Sequence, residues 1–235
     1  MPDPAPNANP DIACRGELLP SLGRLARGLS ALFWGMPTLL IVSVRTAKSE
    51  WLAPWGLVPV LALDGLVLAG LWQMSSFQKQ ERPWRAALDR AKLLALVNLG
   101  LGPFLYWWNH MPEQPFFATA VLLLALTGVL FLFNLNLVLA RSGAMLPDET
   151  LRHETKQFTA INRALLLGLL LLAAAYFGFT RFPDLPVRFQ FILFFLEQSH
   201  HWALIFLVLL PLAMTMALIW KTKEVILDSV FGAQR

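Results

Sequence analysis

The sequence predicts an all-α polytopic membrane protein, with about six transmembrane helices in three hairpins and helical extensions into the cytoplasm. Three observations predict it. Of 235 residues, 57% are hydrophobic and 14% charged, against about 25% charged in ordinary globular domains. The apolar residues fall in blocks, several at or near the ~18 residues that read as a membrane-crossing helix. The 19 lysines and arginines sort unevenly between the two sides of those blocks. A soluble enzyme is excluded, because a chain of this length could not bury so much apolar surface. Disorder is excluded for most of the chain by its wealth of Leu, Ile, Val and Phe.

Three parts follow in order: a disordered cytoplasmic tail over 1–22, a six-span membrane domain over 23–220, and a cytoplasmic C-terminal helix over 221–235. The tail opens MPDPAPNANPD, a Pro, Asn and Asp composition that cannot bury a core. Its Cys14 is the single cysteine, so no internal disulfide framework exists. Ile12-Ala13-Cys14 lacks the preceding apolar stretch that a lipoprotein processing site requires.

The expected spans are Ala26–Val44, Trp51–Met74, Ala91–Trp108, Phe116–Ala140, Ile161–Phe179 and about Glu197–Trp220. At 1.5 Å per residue they reach roughly 27–38 Å, enough for a hydrocarbon core of about 30 Å. Phe189–Leu196 reads as an interfacial or partly re-entrant segment, because a single helix from Phe189 to Trp220 would be too long for one crossing. Pro37, Pro59, Pro103 and Pro211 read as kinks, and Gly100-Leu-Gly102-Pro103 as a place of close packing or bending.

Basic residues orient the helices. With both termini on one side, 15 Lys and Arg fall there and 4 (Arg45, Lys48, Arg181 and Arg188) on the other. The positive-inside rule then puts both termini in the cytoplasm and the chain in the inner membrane. Eight of the nine tryptophans fall near expected span ends, Trp84 among them, with Trp34 alone at mid-span. The net charge of +4 is accounted for by orientation and anionic headgroups, so nucleic acid is not an expected partner. Spans one, three and five open on Leu25-Ala-Arg27-Gly, Leu88-Asp-Arg90-Ala and Ile161-Asn-Arg163-Ala. These are similar beginnings, of the kind that snorkelling arginines favour.

The cytoplasmic parts also read as helix. Glu81–Lys92 carries Glu81/Arg85 and Arg85/Asp89 at i,i+4; Asp148–Asn162 carries Asp148/Arg152. After Trp220, Lys221–Phe231 has no breaker, and Ile226, Val230 and Phe231 make an apolar face that calls for a protein partner at the cytoplasmic side.

Polar residues within the spans are the other candidates. Asp64 is the one charge near a bilayer midplane, where a carboxylate costs at least ~2.5–3.5 kcal/mol unless paired or protonated. Asn98 lies at matching depth on an antiparallel span, within expected reach of a hydrogen bond. Thr127 and Thr215 lie near the midplane too, with Asn134 and Asn136 closer to the cytoplasm. Intramembrane polar groups either move ions or hold helices together. On the outer side, His110 and Glu113 follow span three, while Glu197, His200 and His201 share a helix face at i,i+3 and i,i+4. Those are ligand types suited to Zn²⁺ or iron. No cofactor is specified, and G-x-S-x-G, Walker A and H-E-x-x-H motifs are absent. The leading expectation is a non-enzymatic membrane subunit that anchors or organises partner proteins. A small transporter or ion- or proton-conducting protein using Asp64 is second, and an outer-face metal-binding membrane enzyme third.

Overall fold

The computed structural model describes residues 10–48, 55–77, 81–145, 149–181 and 208–228. Among these every regular element is helical: α1 (Pro10–Lys48), α2 (Val58–Met74), α3 (Arg82–Leu101), α4 (Pro103–His110), α5 (Pro115–Met145), α6 (Glu149–Arg181) and α7 (208–228). Two stretches are long and apolar enough to cross a membrane by length and composition, Pro20–Lys48 within α1 and Pro115–Met145; Val58–Met74 is a shorter apolar helix.

Helix boundaries follow local chemistry, and two of them correct the sequence expectation. The disordered tail does not extend to residue 22, because α1 begins at Pro10. The second span does not begin its helix at Trp51. Gly56 adopts a left-handed φ of 55°, which a residue without Cβ tolerates, and Pro59 then sits in the first turn of α2. That leaves 17 helical residues, about 26 Å.

At Gly102-Pro103 the helix is interrupted, although Gly102 keeps helical dihedrals (φ −49°, ψ −43°). The Gly102 N–H closes α3 on the Asn98 carbonyl at 2.7 Å, and Pro103, with no N–H to give, starts α4. Leu105 bonds back to Gly102 at 3.1 Å, a tighter i,i+3 contact. By contrast α6 runs unbroken from the charged Glu149 region into its apolar half. Helix α7 likewise continues through Trp220 to 228. The segments around Phe189–Leu196, Glu197, His200, His201, Val230 and Phe231 lie outside the described residues.

Helices adjacent in the chain lie against one another. α1 packs along α2, α2 against α3, α3 against α5, α5 against α6, and α4 bridges α1 and α5. Leu25, Leu29, Leu32 and Met36 recur at i,i+4,i+7,i+11 and put one face of α1 into the common core with Leu71, Leu88, Leu135 and Ile219. Where α1 crosses α2 the backbones touch. A Cβ built on Gly28 would lie 2.6 Å from the Gly70 carbonyl oxygen. Between helices, Arg141 donates to the Pro83 carbonyl, and Lys221 pairs with Glu154.

Two residues expected at the surface are inside. Trp84 is wholly buried, edge-on to Phe77 with ring centres 6.2 Å apart. It therefore acts as a core residue below α2, since the chain reverses there and folds Phe77 over it. Ile226, expected to await a partner, is also wholly buried and joins the cluster of Val138, Leu139 and Ile219. The chain covers it by its own packing.

Candidate functional site

Asp64 on α2 and Asn98 on α3 both line one cavity. The cavity has a volume of about 370 Å³ and lies among α1, α2, α3, α4, α5 and α7. Its walls are aliphatic and aromatic, represented by Met36, Leu40, Leu105, Trp108 and Phe131. Asp64, Asn98 and Ser43 are the polar side chains on it. Asp64 is 5% exposed and Asn98 8%, so neither has bulk water to solvate it. The expected bond is not formed through the Asn98 amide oxygen, because Oδ1 has no hydrogen-bond partner. The Asp64 carboxyl packs closely against Gly102. A Cβ on Gly102 would lie 3.0 Å from Asp64 Oδ2 and 3.1 Å from Val60 Cγ1.

A second polar feature joins α5, α6 and α7. The Asn136 amide donates to Thr215 Oγ1 at 2.9 Å and to its own helix at Leu132 O, 2.8 Å. Asn162 places its amide nitrogen 3.0 Å from Asn136 Oδ1, 2.9 Å from Thr215 Oγ1 and 3.1 Å from the Pro211 carbonyl. Thr215 in turn donates to Pro211 O at 2.7 Å. Pro211 has no i+4 amide problem of its own here. As a helical proline it cannot donate an N–H, and its own carbonyl is capped by a hydroxyl. Asn162 has two amide hydrogens for three acceptors, while its Oδ1 has no partner. The neighbouring Thr155 and Thr159 are also buried with unpartnered hydroxyls. Thr155, Thr159 and Asn162 form one polar stripe at i,i+4,i+7 on α6, and the stripe packs where Gly143 leaves room: a Cβ there would meet Thr155 Oγ1 at 3.2 Å.

No family model, curated protein or solved structure matches the chain. Any chemistry must therefore be argued from the side chains themselves.

The remaining candidates sit apart. Asn134 is satisfied by its own helix, donating to Leu130 O at 2.9 Å, and Thr127 donates to Leu123 O at 2.9 Å. His110 is exposed, with its ring 4.2 Å from that of Tyr106 and Nδ1 3.0 Å from the Tyr106 carbonyl. Glu113 is exposed beside it. Among the described residues no group of three His, Cys, Asp or Glu could hold a metal ion, and Glu197, His200 and His201 lie outside those residues.

The residues that sequence reasoning missed are Asn162, Thr155 and Thr159. Their i,i+4,i+7 spacing on α6 was a usable signal. It was masked by the charges around it, which make that half of the helix read as a solvated extension.

Proposed function

We propose that the chain is a multi-pass protein of the cytoplasmic membrane, with six crossings and both termini in the cytoplasm, that carries a cation by way of Asp64. Membrane immersion is supported by the outer surface of the helices. A helix that is apolar all round belongs either in a protein core or in lipid. Only 17% of the apolar window of α5 is buried, which argues for lipid. Ile41, Leu66, Leu93, Leu123 and Leu171, from five different helices, are all exposed in the same way.

One observation carries the transport role: a buried carboxyl, that of Asp64, lines a predominantly apolar cavity. If Asp64 only held helices together, it would be expected to bond across to another helix. Instead it stands at a space large enough for a solute. An anchoring role drew on Ile226, Val230 and Phe231 as an open docking face. With Ile226 covered by its own chain, that face has lost its central residue, and the carrier reading is preferred.

The test is proton movement into proteoliposomes that contain a pH-sensitive dye, driven by a potassium diffusion potential. Wild type is expected to acidify the lumen faster than protein-free vesicles. Asp64→Asn, which keeps hydrogen bonding and volume, is expected to fall to the protein-free rate while melting as wild type does. Equal rates for wild type and Asp64→Asn would overturn the proposal.

A further inference from the structure

We propose that the cavity beside Asp64 binds a small, largely apolar amine in its ammonium form. This names the cargo of the carrier proposed above and rests on that reading. At about 370 Å³ the space lies at the lower end of small-molecule sites, which run to about 300–1,000 Å³, and is far beyond the ~30 Å³ share of one water. A proton alone needs no such volume.

The lining decides the class of ligand. Aliphatic and aromatic walls select a hydrocarbon body, and burial excludes water that could solvate a polar one. The one ionisable group on the wall is the Asp64 carboxyl, with the uncharged Ser43 and Asn98 as the other polar residues of the lining. A ligand that satisfies that carboxylate must donate hydrogen bonds and carry positive charge. A primary or secondary ammonium group does both. A carboxylate or phosphate would face like charge, and a pure hydrocarbon would leave the carboxylate unsatisfied. A bare metal ion is disfavoured because it needs several oxygen ligands, whereas the lining is mostly carbon and Asp64 is its one carboxylate. Trp108, on the same lining, offers an aromatic face of the kind that attracts ammonium groups. Ala47 and Trp108, near the ends of α1 and α4, mark the side that faces outward in the proposed topology. The site is thus approached from outside.

The experiment uses the full chain in nanodiscs and one hydrocarbon cage with three head groups: 1-adamantylamine, 1-adamantanol and 1-adamantanecarboxylate. Binding is measured by equilibrium dialysis, with protein-free nanodiscs subtracted. The amine is expected to bind saturably, at least about tenfold tighter than the alcohol, with the carboxylate weakest. Asp64→Asn is expected to abolish the preference for amine over alcohol while retaining the alcohol, which shows that the variant is folded. Asn98→Leu, which removes an uncharged polar residue of the lining and leaves the charge, is expected to weaken the amine less. The inference is overturned if the three cages bind alike, if the amine does not saturate, or if Asp64→Asn keeps the amine preference. If Asp64→Asn does not fold, the head-group order on wild type decides alone. Asp64-dependent proton flux without amine binding would leave the carrier standing and remove this cargo; amine binding without flux would do the reverse.

Discussion

Asn162 contributes one side chain to contacts with two other helices, and its neighbours depend on one another. Removing it leaves Asn136 Oδ1 without its donor and takes a donor from Thr215. Hydrogen bonds between membrane helices average ≈ 0.6 kcal/mol each, so Asn162→Ala is expected to cost about 1–2 kcal/mol in detergent unfolding. The sharper test is a double-mutant cycle with Asn136→Ala. Because the two amides share a bond, the double variant is expected to lose less than the sum of the singles by roughly 0.5 kcal/mol or more; strict additivity would show that the node is not one unit. At this scale the sequence was legible only where contrast was high. Asp64 and Asn98 stand out as lone polar residues in apolar runs, and both line one cavity. Thr155, Thr159 and Asn162 lie beside Lys156 and Arg163, so their burial could not be told from solvation. The lack of an Asp64–Asn98 bond through Oδ1 was also illegible, since it depends on how the side chains pack around Gly102.

The crossing of α1 and α2 turns on two glycines rather than on any polar contact. With the Gly70 carbonyl 2.6 Å from where a Cβ on Gly28 would stand, Gly28→Val must push the helices apart. The expected loss is about 1–3 kcal/mol, the usual cost of overpacking. Gly65 on the same helix α2 has nothing within 4 Å of its Cβ position. There Gly65→Ala is expected to be neutral or stabilising by up to ~1 kcal/mol, the helix propensity difference. Thermal unfolding in detergent separates the two, and an equal effect at both positions would contradict the close crossing. Most helices were legible as apolar blocks with Pro or Gly at their ends, and α6 and α7 run through charged sequence as expected. What escaped was the partner of each face. Ile226 reads as an exposed apolar residue among Lys223, Glu224 and Asp228, and periodicity alone cannot say whether the cover is another chain or the same one. Trp84 misled for a similar reason: a tryptophan beside arginines suits a headgroup layer equally well.

At the scale of the molecule an apolar outer surface surrounds an internal polar site. Apolar side chains point outward from α1, α2, α3, α5 and α6, while the polar ones are gathered at the Asp64 cavity and the Asn136–Asn162–Thr215 node. The charge distribution adds a direction to it, because 15 of the 19 basic residues would lie on the side of both termini. The cavity has meaning as a carrier site only if these helices cross the bilayer in that order. Topology is therefore the most direct measurement, and the chain suits it because Cys14 is its single cysteine. Native Cys14, and single cysteines placed at Glu113, Gly143 or Arg235 in a Cys14→Ser background, would be reacted with a membrane-impermeant maleimide in right-side-out and inside-out vesicles. The account predicts that Glu113→Cys labels only in right-side-out vesicles, and that Cys14, Gly143→Cys and Arg235→Cys label only in inside-out ones. Labelling of Cys14 and Arg235→Cys on opposite sides, or of Glu113→Cys on the same side as both, would contradict it.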